Sequence, residues 1–207
     1  MKRTPAVPES YTPSIAELDE ARKRILEYEP RDLFYRVASE LIELALTGRT
    51  NITVAEALAV LLQTWNAQYY QFRPFTPRHF ADIEALLQMH LEDVVRFRSR
   101  GIQSVSTSDL PMAESLFNSF EHVLGPVGAA KSLHLLAPKF FPIWDRAIAK
   151  AYHCELGNVG TNGANYGAFF LIAGLQADTL SPIIPEEANL LMRIDEYNYC
   201  KHTKGWM

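Results

Sequence analysis

The sequence predicts an all-α protein, and three observations carry that prediction. Apolar residues recur at three- and four-residue intervals through most of the 207 positions, the spacing that puts them on one face of a helix. Ser, Thr and Asp stand just before several of these runs, and Gly or Pro just after them, as helix start and stop signals do. Nowhere do apolar and polar residues alternate long enough to make a half-buried strand.

Residues 1–13 hold three prolines and little apolar material, which predicts an extended or loosely packed arm. Residues 14–207 then read as a single helical domain of two lobes, its C-terminal helices packing back. Ser14 stands three residues before Glu17, a capping box opening a helix that carries Leu18, Ala21 and Ile25 and ends at Pro30. An amphipathic second helix runs through Leu33, Val37, Leu41 and Leu44 to Gly48. Thr53 and Glu56 open a third helix, whose run from Ala57 to Leu62 is apolar on nearly every side and predicts a buried, central element. Residues 63–70 then mix amides with aromatics.

Thr76 or Pro77 begins a helix with Phe80, Ile83, Leu86 and Leu87, and another begins near Leu91 and carries Arg96, Arg98 and Arg100 to Gly101. The spacing of these arginines predicts a solvated face. Residues 103–109 are a polar turn, and Pro111 takes the first position of the next helix. Residues 157–167, rich in Gly and Asn, form a loop. Tyr166–Leu175 is a short apolar helix and Glu186–Tyr199 the last one.

Composition excludes several classes of function. Hydrophobic residues make up 48% and charged residues 21%, as in an ordinary globular protein. No segment approaches the ~18 uninterrupted apolar residues of a membrane span, and the N-terminus lacks the apolar core of a secretion signal. Two cysteines, Cys154 and Cys200, are too few for a disulfide scaffold, so the expected setting is the cytoplasm. The His and Cys positions show no metal-ligand spacing, and no metal or other cofactor is expected. A net charge of −4 argues against gripping nucleic acid over the whole surface. The charge is segregated, however. Lys131, Lys139, Arg146 and Lys150 face only Asp145 within residues 125–150, while acids gather near the N-terminus and around Glu186, Glu187, Asp195 and Glu196.

The chemistry concentrates in residues 123–152. Leu124-Gly125-Pro126-Val127-Gly128 reads as a tight turn feeding a helix from Ala129 that stops before Pro138. A loop then delivers Asp145 to the start of another helix, Arg146–Tyr152. Gly125 and Gly128 lack Cβ atoms, so the amides around Val127 can approach an anion such as phosphate; the same glycines would equally serve a plain turn between packed helices. Asp145 reads both as an N-cap and as an acid at a pocket mouth. Gln63, Trp65, Asn66, Tyr69 and Tyr70 read either as a base pocket, with aromatic faces to stack and amides to read edges, or as a helix end with core aromatics. His134, among leucines, reads as a satisfied histidine.

This order of helix, glycine-bearing hairpin, helix and Asp-bearing loop resembles the helix–hairpin–helix DNA glycosylase superfamily. The resemblance rests on Leu124 and Val127-Gly128, on Phe141-Pro142-Ile143-Trp144-Asp145-Arg146-Ala147-Ile148, and on Leu61-Leu62-Gln63-Thr64, and covers about residues 52–152. The family hairpin usually has Pro-Gly where this chain has Gly125-Pro126, and the lysine of its lyase-active members falls at Ala130, one residue before Lys131. The resemblance implies a duplex held through phosphates by Gly125, Val127, Gly128, Lys131, Lys139 and Arg146. It implies a base turned out into a pocket of Gln63, Trp65, Asn66, Tyr69 and Trp144. Asp145 would stabilise the sugar cation or activate water, and Lys131 would attack the anomeric carbon if it is a nucleophile at all. Two other outcomes stay open: a binding module that has lost the chemistry, and a cleft reused for protein interaction or a free nucleoside.

Overall fold

Helices α1 (Ile15–Tyr28), α2 (Arg31–Leu46), α3 (Val54–Trp65), α4 (Ala67–Phe72) and α5 (Pro77–Val95) form the first part of the chain. A 3-10 turn (Ile102–Ser104) leads to α6 (Leu110–Leu136), α7 (Arg146–Ala151), α8 (Gly163–Leu180) and α9 (Leu190–Asn198), which runs into a π-turn (Tyr199–Lys204). They are seen in a computed structural model that describes residues 11–28, 31–184 and 189–207. No strand occurs among the described residues, so the protein is all-α. Nor is any described helix long and apolar enough to cross a membrane. Residues 1–10, Pro30, Glu186 and Glu187 lie outside the described residues. Of the expected N-terminal arm, Tyr11 is packed down: its carbonyl accepts from Gln176 Nε2 at 2.6 Å.

Capping chemistry explains where the helices begin. Glu17 N donates to Ser14 Oγ at 3.3 Å and Ser14 N to Glu17 Oε2 at 2.9 Å, the reciprocal box ahead of α1. The same exchange between Thr53 and Glu56 opens α3, and Thr76 accepts from His79 N with Pro77 at the first position of α5. Several boundaries differ from expectation, α8 among them, which begins at Gly163 inside the expected loop and runs on to Leu180. With no Gly or Pro near Leu91, α5 continues unbroken to Val95. At Leu124–Gly128 there is no open turn but a single-residue break inside α6, at Gly125 with φ 71° and ψ 168°. Only glycine tolerates that conformation readily, and Pro126, with its fixed φ and no N–H to satisfy, restarts the helix at once.

The core joins apolar residues from Leu18 in α1 to Cys200 in the π-turn. Its densest part lies between α6, α8 and the loop ahead of α7. Phe117 stacks on Tyr166 with centroids 4.1 Å apart, and Phe140, Phe141, Trp144, Phe169 and Phe170 complete an aromatic block. That block anchors the loop that ends in Asp145. Tyr166 Oη donates to the Pro142 carbonyl at 2.9 Å, and His134 Nδ1 lies 2.8 Å from the Phe141 carbonyl. A carbonyl only accepts, so Nδ1 carries the hydrogen and Nε2 is left to accept from Tyr35 Oη at 3.0 Å.

The arginine cluster is not a solvated face. Arg98 donates to the carbonyls of Leu135 (3.2 Å) and Leu136 (2.8 Å), closing the end of α6, and to Glu43 at 2.6 Å. Arg100 grips Asp109 through two hydrogen bonds, of 2.7 and 3.0 Å, which hold its carboxyl down at about 2. Only Arg96, paired with Glu92 and Asp93, stays largely exposed.

Candidate functional site

A cleft of about 800 Å³ opens between the α3–α4 junction, the break in α6, the start of α7, and the α9–π-turn segment. Its size suits a small organic ligand or a single nucleotide unit. Each element arrives there for a local reason. Asn66 ends α3 and begins α4, bringing Trp65 and Tyr69 to one wall. The left-handed break at Gly125 turns α6 so that half-exposed Pro126 and Val127 face the opening.

Asp145 does two things at once. Its Oδ1 caps α7, accepting from Ile148 N at 2.8 Å, and its Oδ2 accepts from Thr203 Oγ1 at 2.7 Å. Both oxygens of a half-buried carboxylate are thereby oriented while the group still borders the cleft. Thr203 belongs to the π-turn, a rare geometry whose extra residue per turn shifts side-chain direction. Lys131 also borders the cleft, donating to the Trp65 carbonyl with its ammonium 5.1 Å from the Trp65 ring centroid.

Aromatic surface covers much of the wall. Tyr35 lies against Trp65 at 5.3 Å between centroids, with Tyr69, Phe72 and Tyr199 nearby in the same cavity. Tyr35 is held from behind by His134, whose burial keeps the imidazole neutral down to about pH 4. Gly125 and Gly128 are both buried. A Cβ on Gly125 would lie 2.8 Å from the Tyr69 ring, and one on Gly128 would meet Leu124 at 3.0 Å and Asn66 at 3.3 Å. Both glycines therefore serve close packing beside the cleft.

Nine of the residues singled out from the sequence meet here: Gly125, Val127, Gly128, Lys131, Asp145, Arg146, Trp65, Asn66 and Tyr69. Four do not, and for Gln63, Tyr70 and Trp144 this corrects the base-pocket reading; Tyr70 is buried, its hydroxyl 3.0 Å from His79 Nε2. Gln63 points to solvent from α3, because the buried stripe of that helix passes through Leu58, Leu61 and Leu62 instead. Trp144 is fully buried in the aromatic block. Lys139 is exposed on the turn after α6, where its carbonyl accepts from Ile102 N at 2.7 Å. None of the four lines the cleft.

Sequence reasoning missed the second acid pair. Asp195 and Glu196 of α9 are 9% and 2% exposed and line the same cavity. Glu196 pairs with Arg22 of α1. Asp195 Oδ1 has no hydrogen-bond partner, and burial, with the charges of Asp145 and Glu196 adding to it, pushes its carboxyl well above the usual range against the opposing pull of Lys131. A signal was present in the sequence. Asp195 falls on the face of α9 that carries Leu191 and Ile194, where an acid is costly to bury unless a partner or a function offsets the cost. Thr203 carried no comparable signal.

Comparison with protein-family models, curated proteins and solved structures gave no match. The site must therefore be read from its own chemistry: an oriented carboxylate, a raised carboxyl, an ammonium and several exposed aromatic faces around one cavity. Among the described residues no group of three His, Cys, Asp or Glu is placed to hold a metal ion.

Proposed function

We propose that the protein cleaves the N-glycosidic bond of a nucleobase turned out of duplex DNA into this cleft, within a two-lobed architecture like that of helix–hairpin–helix glycosylases. The observation that carries the reading is the Asp145 carboxylate, held at both oxygens beside a cavity with aromatic walls. Such walls accept the faces of any base. A fixed carboxylate stabilises the positive charge that grows on the sugar as the base leaves, and can take a proton from water. In this reading water is the nucleophile, since Lys131 holds the Trp65 carbonyl and lies over its ring. The one-residue break at Gly125 followed by Asp145 at the cap of α7 supports the architectural part. Arg146 and Lys204, at the cleft, supply cations for the phosphates.

A second reading, a free nucleoside as substrate, is favoured by a different observation. Asp145, Asp195 and Glu196 share the cleft, and the chain as a whole carries net charge −4, which is unfavourable for a polyanion. One experiment addresses both. Incubation with duplexes carrying damaged or modified bases, scored for abasic sites, and with the matching free nucleosides, scored for released base, should show release by the wild type and none by Asp145→Asn. Absence of release from every member of both panels would overturn both readings.

A further inference from the structure

We propose that Asp195 is the acid that protonates the departing base, acting as the partner of Asp145 in the same cleft. This rests on the N-glycosidic reading above and assigns the second half of its chemistry. A base expelled as an anion is a poor leaving group, so cleavage of a neutral nucleoside gains from a proton delivered as the bond breaks. Asp195 lines the cavity, is more than nine-tenths buried, and has an oxygen with no hydrogen-bond partner. Buried polar atoms are nearly always partnered, and an oxygen left without a donor is least costly on a neutral carboxyl. Asn66 repeats the pattern: it is 8% exposed, lines the same cavity, and its amide nitrogen lacks a partner. A carboxyl and an amide lining one cleft suit a heterocycle with ring nitrogens and a carbonyl.

Burial first, and then the charged groups around it, explain why Asp195 holds its proton. Asp145 from the start of α7 and Glu196 from its own helix oppose a further negative charge, and Lys131 from α6 only partly offsets them. Cys200, from the π-turn, stays a thiol, its pKa pushed up to about 11 chiefly by burial. A carboxyl that keeps its proton can serve as the acid while a second carboxyl in the same cleft serves as the base. The step then balances. As the C1′–N bond breaks, its electron pair goes to the base and the Asp195 proton joins a base nitrogen. Water adds its oxygen to C1′ and gives a proton to Asp145. That proton returns to Asp195 through solvent, leaving a 1′-hydroxyl sugar, a free base and both carboxyls restored.

The test compares two leaving groups, each offered in duplex DNA and as the free deoxynucleoside. Hypoxanthine leaves poorly without a proton, whereas 7-methylguanine carries a positive charge and leaves as a neutral molecule without one. Asp195→Asn should slow hypoxanthine release by about 100-fold or more and 7-methylguanine release by no more than about threefold, within the scatter of single contacts. The hypoxanthine rate of the wild type should fall at alkaline pH. Wild-type release of 7-methylguanine alone, equal losses on both bases, or no loss on hypoxanthine overturns the role of Asp195 while leaving the glycosidic reading intact. Failure of the wild type on all four substrates overturns the role of Asp195, and failure on every member of both wider panels overturns the glycosidic reading with it. Carbon-13 titration of the Asp195 carboxyl in the wild type gives a readout that needs no turnover. Ionisation well above the ordinary carboxylate range is expected, and ionisation within that range, near 4, overturns the proposal.

Discussion

Thr203 Oγ1 donates to Asp145 Oδ2 at 2.7 Å, joining two residues 58 positions apart in the chain. The bond couples the C-terminal π-turn to the cap of α7, so the last part of the chain completes the site that the middle begins. Replacing Thr203 with Val keeps the shape and removes the hydroxyl. Base release should fall about 10-fold, as for loss of one hydrogen bond to a charged group, while the unfolding midpoint moves little. An unchanged rate would show that Asp145 is oriented by α7 alone.

Asp145 carries a structural and a chemical duty, and two substitutions separate them. Asn caps a helix as well as Asp does, so Asp145→Asn should leave stability nearly unchanged while abolishing base release. Asp145→Ala should abolish release and also cost about 1 kcal/mol in urea unfolding. If Asp145→Asn retained full activity, the carboxylate would be only a cap.

Gly125 stands where no other residue fits well. A methyl group there would meet the Tyr69 ring at 2.8 Å from a backbone with φ 71°. Gly125→Ala should destabilise the protein by about 1–3 kcal/mol, a drop of several degrees in Tm, and displace Tyr69 from the cleft wall. Calorimetry reads the first effect and ligand affinity the second.

His134 links folding stability to acid. Its folded value of about 4 lies below the ordinary 6.5, because burial disfavours the imidazolium. The unfolded chain therefore binds more protons through this window, and stability present above pH 6.5 is lost as pH falls toward 4, on the order of 3 kcal/mol in all. Urea unfolding at pH 7, 5 and 4 should show the loss. His134→Asn should start less stable at pH 7 and flatten the slope.

Asp195 should produce the opposite trend. Its folded value lies well above that of the unfolded chain, so the stability it contributes is complete below pH 4 and declines as pH rises. Asp195→Asn should therefore be more stable than the wild type at pH 8 in urea unfolding, with the difference vanishing near pH 4. Equal stability at both pH values would mean that Asp195 ionises normally.

The all-helical architecture was legible in the sequence because its causes are local. Ser14 with Glu17, Thr53 with Glu56, Thr76 with Pro77, and Asp145 itself each satisfy backbone amides within one turn, whatever the rest of the chain does. Trp65, Asn66, Tyr69 and Lys131 were legible for a related reason: polar and aromatic groups sit beside apolar helical runs that must be buried. Tertiary packing decided everything that depends on direction. It carried Gln63 outward and Trp144 into the core, and reduced an expected hairpin to one left-handed glycine pressed on Tyr69. It also brought Asp195 and Thr203 to Asp145 from the far end of the chain. Sequence spacing reports which residues share a helix face; which faces then meet around a cavity follows from how α3, α6, α7 and α9 fill the core together.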